Sequence, residues 1–269
     1  MNRSSLGQHN VENMSPSEFR KLVRHDKWDA VTTNASKGYA QTNLVIVPKS
    51  LAFDFLLFCH RNPGPCPVIE VIDPGEYHPK LTASDADIRT DIPKYRVFKN
   101  GQIIDEPNDI KKYWQSDFVA FLLGCSTNFD YILGNANVQY RYIGDHTTKI
   151  ECVPAGCFHS TMVVSTRLFK TSHDAVRAIQ ITSRNLAAHG PPVHIGKPED
   201  IGIGDIYNPD MFSFDEPIHP IESTETIMYW ACGVTPQICA AMSKVPFMIT
   251  HFPGYMFVTD KLSEELSVF

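Results

Sequence analysis

The sequence lacks the short glycine motifs by which many enzymes are recognised. It contains no Gly-x-Gly-x-x-Gly fingerprint, no Walker loop and no Gly-x-Ser-x-Gly nucleophile elbow. The nearest approach, Gly202-Ile203-Gly204, has no predicted strand before it and no predicted helix after it. These absences disfavour nucleotide cofactors and esterase-type chemistry.

Long apolar runs are also missing. No run approaches the roughly 18 residues that a helix needs to cross a bilayer. Residues 1–13 are polar and lack the apolar segment of a secretory signal. We therefore expect a cytoplasmic protein with no membrane contact.

The chain has no excess of positive charge and no cysteine motif. It carries 24 Lys and Arg against 30 Asp and Glu, with a net charge of −6, which disfavours nucleic-acid binding. Its seven cysteines include no Cys-x-x-Cys pair and its histidines no His-x-x-x-His pair. We expect reduced thiols, and any metal site would have to be assembled from distant segments.

What the sequence does contain is a series of helix and strand patterns typical of an α/β fold. Ser15-Pro16-Ser17-Glu18 predicts a helix start with a capping box. A strand at 43–47, a helix at 50–60 and a strand at 68–72 predict a β-α-β unit of a parallel sheet. Asn100-Gly101 predicts a hairpin turn. A second β-α-β unit is predicted at 227–250.

These elements predict an α/β protein with a three-layer αβα core built from both chain ends. We place the core in residues 15–125 and 225–269. An inserted two-layer α+β subdomain covers residues 126–224, and residues 1–14 form a flexible arm.

Two apolar runs near the C-terminus end in small polar and glycine residues, as ligand sites at strand ends often do. In Gly233-Val234-Thr235-Pro236, Thr235 is predicted to cap a helix whose free N–H groups would bind a substrate carboxylate. The plainer interpretation is an ordinary strand-to-helix turn.

Cys125 follows an apolar run and precedes Thr127-Asn128-Phe129-Asp130, which resembles a capping box. A thiol at a helix N-terminus has a lowered pKa and is nucleophilic. The alternative is that Cys125 is a small buried apolar residue. The same two interpretations apply to Cys232, and for this residue we favour that of a buried core residue.

Histidines and arginines near strand ends supply further candidates. A histidine can shuttle protons near neutral pH, and an arginine can bind a carboxylate through two hydrogen bonds. Structural histidines and surface ion pairs are the alternatives. The candidates are His159, His189, His194, His251, Asp260, Arg89 and Arg184.

From about Ser15 to Asp260 the chain resembles the hydro-lyase family that includes D-glutamate cyclase-like proteins. The segments that carry the resemblance are 38–44, 53–59, 87–93, 121–126, 154–159, 181–184, 192–196, 229–237 and 250–260. The resemblance implies a cytosolic bacterial protein of two αβ subdomains, and a carbon–oxygen lyase that closes D-glutamate to 5-oxo-D-proline. The chain departs from the family pattern at Thr127-Asn128, Ser160 and Tyr255. Because Ser160 and Tyr255 flank candidate site residues, these two departures put substrate choice in question.

On this basis we expect a small carboxylic or amino acid as the substrate. We assign His251 or His159 as the base and Asp260 or a second His as the acid. His194, Arg89, Arg184, Gly233 and Thr235 would bind the substrate, and Cys125 would assist as a donor or, less readily, form a thioester.

A bound divalent metal is a variant of this mechanism. A non-catalytic binding or accessory protein of 5-oxoproline metabolism and a lactam-opening hydrolase are alternative functions. The sequence leaves the oligomeric state open, a homo-oligomer included.

Overall fold

A computed structural model of the protein describes residues 11–211 and 218–267. The protein has an α/β fold with two antiparallel sheets. Its α-helices are α1 (Pro16–Arg24), α2 (Lys49–Arg61), α3 (Thr127–Asn135), α4 (Ser172–Thr182) and α5 (Thr235–Met242). Most of the predicted N-terminal arm, residues 1–10, lies outside the described residues.

The first sheet contains β1 (Tyr39–Pro48), β2 (Val68–Ile72), β3 (Tyr95–Lys99), β4 (Gln102–Asp105), β5 (Phe118–Gly124), β10 (Phe247–His251) and β11 (Phe257–Leu262). Its order is β2-β5-β1-β10-β3-β4, and β11 also pairs with β1. The second sheet has the order β6-β7-β9-β8. Its strands are β6 (Arg141–Glu151), β7 (Thr161–Phe169), β8 (His194–Ile195) and β9 (Thr226–Ala231).

The prediction of a parallel sheet is wrong. Strands β1 and β2 run in the same direction, but β5 lies between them and pairs antiparallel with both. The second predicted β-α-β unit is also not a unit of one sheet, because β9 belongs to the second sheet and β10 to the first. Helix α5 therefore carries the chain from one sheet to the other.

Both faces of the first sheet are covered. Along β1, Val45 and Val47 face a cluster that contains Phe55 and Phe58 of α2. Leu44 and Ile46 face the opposite cluster, to which the turn-rich segment 83–92 contributes. This alternation is what a strand buried on both faces requires. The three-layer arrangement and the domain limits stay predictions.

Local signals were confirmed where neighbouring residues alone decide the structure. Ser15 and Glu18 form the capping box at the start of α1. Asn100 and Gly101 have φ values of 50° and 77°, as the tight hairpin turn between β3 and β4 requires.

All seven cysteines are free thiols.

Two predicted caps are wrong. Helix α3 is preceded by Ser126 in a helical conformation with no side-chain cap, so Thr127 lies inside the first turn. Helix α5 is likewise preceded by Val234, and Thr235 is its first helical residue.

No helix among residues 11–211 and 218–267 combines the length and the apolar character that crossing a membrane would take.

Candidate active site

A cavity of about 630 Å³ lies between side chains of both sheets. Tyr39, Gln41 and Asn43 of β1 and His251 of β10 line it from the first sheet. Residues of β6 in the second sheet, the start of α3 and the turn at 33–38 complete the wall. The volume is that of a pocket for a small molecule.

The cavity lies where the first sheet is interrupted. On one side of β1, β11 pairs with Tyr39, Gln41 and Thr42, whereas β10 pairs with Val45 and Ile46. Asn43 and Leu44 fall between these two ladders. The backbone N–H and C=O of Leu44 point to that side and are therefore left for a side chain to satisfy.

His251 fills this gap in the ladder. The backbone N–H of Leu44 donates to its Nδ1 at 3.2 Å, which is shorter than the 3.4 Å from Nδ1 to the Leu44 carbonyl. Burial lowers the pKa of His251 to about 4, so the ring is neutral. A neutral ring that accepts at Nδ1 carries its proton on Nε2. His251 is therefore a hydrogen-bond donor at Nε2.

The Asn43 side chain bonds to the strand on the other side of β1. Its Nδ2 donates to the carbonyl of Gly124 in β5 at 2.5 Å. A Cβ atom on Gly233 would lie 2.0 Å from this Nδ2. Gly233 is therefore needed for close approach to Asn43.

Replacing Gly233 with Ala should destabilise the protein by about 2 kcal/mol, because the added methyl group overpacks against Asn43. Chemical denaturation of both proteins measures this difference. Gly204→Ala is the matched control, since a Cβ there meets nothing within 4 Å. Equal stability of the two variants would contradict the close approach.

Asp145 is the buried carboxylate of the cavity wall. The Tyr142 hydroxyl donates to its Oδ1 at 2.6 Å. Burial raises the pKa of Asp145 to about 6, and the hydrogen bond from Tyr142 and the charge of Arg167 oppose this only in part. Asp145 can therefore gain or lose a proton near neutral pH.

A β-bulge brings Tyr142 and Asp145 together. Residues three apart on a regular strand point to opposite faces. Here Tyr142 pairs with Arg167 and Gly144 pairs with Thr166, the next residue back along β7. Ile143 is therefore an extra residue in β6. Gly144, which follows it, has a φ of 151°. The extra residue turns Asp145 to the side of Tyr142, and both line the cavity.

Behind this wall lies Arg167, which is fully buried. It donates to both carboxylate oxygens of Asp130, at 2.7 and 3.0 Å. Burial alone would lower the pKa of Arg167. The charge of Asp130 and the nearby tyrosines outweigh this effect, so the pKa of Arg167 is raised. Asp130 lines the cavity and also accepts from the Tyr140 hydroxyl at 2.8 Å.

Several polar atoms of the cavity residues have no partner. Among the described residues, the side-chain atoms Ser36 Oγ, Thr127 Oγ1 and His251 Nε2 are buried without a hydrogen bond. All three residues line the cavity. Because buried polar atoms are normally satisfied, these three suit a bound polar ligand.

The two thiols of the cavity are not nucleophilic. Cys125 and Cys232 both line it. Burial raises the pKa of the Cys125 thiol and, further, that of Cys232. The predicted lowering at Cys125 is wrong because desolvation outweighs the helix terminus. The preference for Cys232 as a core residue is confirmed, since it is buried in a cluster with Val163 and Val234, and it also reaches the cavity.

Comparison with known proteins decides the family. The family model described as D-glutamate cyclase matches residues 119–260, a segment that contains Cys125, Asp145 and His251. A protein of Geobacillus kaustophilus is 48% identical over 95% of this chain and 97% of its own length. YcsI of Bacillus subtilis is 49% identical over 95% of this chain and 100% of its own length.

The chain belongs to the D-glutamate cyclase family. Both relatives bear the name "Putative hydro-lyase", as does a Thermoanaerobacter protein that is 49% identical over 96% of this chain and 98% of its own. The predicted resemblance is thus confirmed over nearly the whole chain.

One solved structure, a nitrogen repressor-like protein from Methanococcus jannaschii, gives a TM-score of 0.39 at 9% identity, with 92% of this chain and 99% of the other covered. Similarity at that level supports no conclusion about this member of the family.

Most residues that the sequence suggested for the site lie away from the cavity. Asp260 forms an ion pair with Arg20 at 2.9 Å and joins β11 to α1. Arg89 is paired with Asp87 and stacks on Tyr77, 3.3 Å from the ring centre. Both therefore have structural partners, and the prediction that they converge with His251 is wrong.

The remaining candidates are also elsewhere. His159 is exposed and contacts Ser243, and Arg184 is exposed after α4. His194 lies on edge strand β8 beside Tyr229. These side chains became candidates because they lie near the predicted ends of strands or helices, but those elements belong to different parts of the fold.

Thr235 and His189 are buried for structural reasons. The Thr235 hydroxyl accepts from Val163 N and donates to Cys232 O, so it has no capacity left for a carboxylate. His189 donates through Nδ1 to the Gly64 carbonyl at 2.8 Å. Neither residue lines the cavity.

Ser160 and Tyr255, whose departures suggested altered specificity, also lie outside the cavity wall, whereas Thr127 is part of it. As for metals, the described residues contain no cluster of three or more His, Cys, Asp or Glu side chains suited to holding an ion.

Proposed function

We propose that the protein is a hydro-lyase that closes D-glutamate to 5-oxo-D-proline and water in this cavity. Membership in the D-glutamate cyclase family supports the reaction class. The observation that carries the proposal is Asp145, a buried carboxyl group of the cavity wall that titrates at about pH 6. A group of this kind can move protons at neutral pH.

The reaction needs proton transfer but no net acid or base. The α-ammonium group loses two protons as its nitrogen forms the bond to the carboxyl carbon of the γ-carboxylate. The γ-carboxylate loses one oxygen, which takes up the same two protons and leaves as water. One carboxyl group that titrates near neutrality can pass both protons in turn.

We assign this transfer to Asp145. Its carboxylate form accepts a proton from the ammonium group, and its acid form donates a proton to the departing oxygen. Tyr142 holds the carboxylate through its 2.6 Å hydrogen bond and so fixes its direction. The cavity supplies the remaining requirement, which is to hold the substrate folded with the nitrogen and the carboxyl carbon of the γ-carboxylate in contact.

His251 acts as a donor in this scheme, not as the base. Its pKa of about 4 leaves it neutral, with Nε2–H unpartnered in the cavity wall. A neutral donor can stabilise the negative oxygen that develops on the carboxyl carbon under attack, and the unpartnered Thr127 hydroxyl can assist. Cys125 keeps its proton, which argues against a thioester intermediate.

Replacing Thr127 with Val removes the hydroxyl at nearly constant volume. We expect kcat/KM for D-glutamate to fall about tenfold, since one hydrogen bond to a charged oxygen is lost. Stability should be kept or slightly increased, because an unpaired buried hydroxyl disappears. An unchanged kcat/KM would remove Thr127 from the oxyanion site.

The pH dependence of kcat/KM should follow Asp145. Above about pH 7 the carboxylate form predominates and the rate constant should be level, whereas below the pKa of about 6 it should fall tenfold per pH unit. His251, with a pKa of about 4, should add no step near neutrality. Initial rates across this range check both statements, and an acid limb centred well above 7 would contradict them.

A substrate screen tests the function itself. The purified protein is incubated separately with D-glutamate, L-glutamate and the two 5-oxoprolines, and the products are followed by mass spectrometry. We expect loss of one water from D-glutamate only. Ring opening of 5-oxoproline without closure would favour the hydrolase alternative, and binding without any conversion would favour the accessory-protein alternative.

A further inference from the structure

The turn at residues 33–38 is a rigid part of the cavity wall. The Val11 carbonyl accepts from Ser36 N at 2.9 Å, and the Glu12 carbonyl accepts from Lys37 N at 2.8 Å. Ala35 is buried in the same cluster as Val11. The turn is therefore fixed from behind by the segment before α1.

Ser36 has two unusual properties. Its φ of 48° is in the left-handed region, which non-glycine residues seldom adopt. Its side chain is buried, and the hydroxyl has no hydrogen-bond partner among the described residues. Strain and an unsatisfied polar atom in one cavity-lining residue are typical of ligand sites.

Lys37 gives the same turn a positive charge. Among the described residues that line the cavity, it is the one lysine or arginine. The two lining carboxylates, Asp130 and Asp145, lie on α3 and β6. The positive charge of the turn and the carboxylates of the cavity thus belong to different elements.

We propose that Ser36 and Lys37 form a carboxylate subsite that holds the carboxylate of the substrate that is not consumed. This inference rests on the proposed function, in which the amine and the γ-carboxyl group react beside Asp145 and the α-carboxylate is left over. The Ser36 hydroxyl donates to that carboxylate and Lys37 supplies the opposite charge. The site therefore selects free amino acids over those with a blocked α-carboxyl group.

Binding of two products tests the subsite without any turnover. Titration calorimetry compares 5-oxo-D-proline with 5-oxo-D-prolinamide, which has a neutral amide in place of the carboxylate. We expect the wild-type protein to bind the acid about tenfold more tightly than the amide, and this preference to weaken as salt is added.

Two variants test whether the turn at residues 33–38 causes the preference for the acid over the amide. Lys37→Met keeps the length of the side chain and should weaken binding of the acid about fivefold while leaving the amide unchanged. Ser36→Ala should weaken binding of the acid about tenfold. Lys99→Met is the control, because Lys99 is exposed on the β3–β4 hairpin and does not line the cavity.

The outcomes separate this inference from the proposed function. If Lys37→Met and Ser36→Ala keep the full preference for the acid, the subsite is wrong and the function stands. If the preference disappears in these variants but D-glutamate is never converted, the subsite is supported and the cyclase function is wrong. If the wild-type protein binds neither product, or binds both equally, the subsite is wrong, and the substrate screen alone decides the function.

Discussion

Replacing Asp145 with Asn should lower kcat for D-glutamate about 1,000-fold, because the variant has no group that can accept and return protons. Asn has the same shape as the carboxyl group and can still accept from Tyr142, so the cavity should persist. Steady-state kinetics at about pH 7.5, where the wild-type group is ionised, measures the loss.

The same substitution should stabilise the protein. The pKa of Asp145 is 3.8 in its ordinary state and about 6 when folded. The folded state therefore binds the proton more tightly, and stability falls as pH rises from about 4 to about 6, by roughly 3 kcal/mol at most. Asn carries no charge to desolvate, and its melting temperature above pH 6 should be about 2–4 °C higher.

Asp117→Asn is the matched control, since Asp117 is exposed and lies outside the cavity wall. It should change neither kcat nor melting temperature. Loss of activity together with loss of stability in Asp145→Asn would indicate a structural carboxylate and contradict the assignment.

His251 allows its two ring nitrogens to be tested separately. An asparagine side chain can place an oxygen near the position of Nδ1 and keep the contact with Leu44 N, but it has nothing at Nε2. His251→Asn should therefore fold normally and lose about 100-fold in kcat, as expected when an oxyanion donor is removed. A glutamine side chain can place an N–H near Nε2, so His251→Gln should keep kcat within about tenfold of wild type.

Comparison of kcat for the two variants, with melting temperature as the check on folding, decides between donor and base. If His251 were the base, both variants would lack it and kcat would fall equally in the two. His159→Ala is the control at an exposed histidine and should have wild-type activity. Equal loss in His251→Asn and His251→Gln would contradict the donor role.

The parts of the fold that the sequence predicted depend on short-range signals. The capping box at Ser15, the hairpin at Asn100-Gly101 and strand β2 are set by neighbouring residues, so they could be predicted. The direction of strand pairing could not, because β5 reaches its place between β1 and β2 only after a long excursion of the chain.

The same distinction between short-range and long-range signals applies to the residues of the site. Cys125 and His251 were found because each ends an apolar run, and both line the cavity. Asp145 was missed because it stands within a strand-like segment, and only the bulge at Ile143-Gly144 turns it to the side of Tyr142. The one sequence signal was a glycine before an acidic residue in a strand.

Arg167 was missed for a different reason. An arginine in the middle of an apolar strand is unusual, and its burial could have been suspected from the sequence. Its partner Asp130 lies on α3, so the ion pair depends on packing between elements. Asp260 shows the reverse error, since it was assigned to the site but lies in β11 and is held by Arg20 of α1.

The most direct measurement of the central claim is a carbon-13 NMR titration of the aspartate carboxyl groups with and without 5-oxo-D-proline. We expect one resonance to titrate near pH 6, to be missing from Asp145→Asn and to move when the ligand is added. If that resonance titrates near the ordinary value of 3.8, or if it does not respond to the ligand, Asp145 is not the group that handles protons in this cavity.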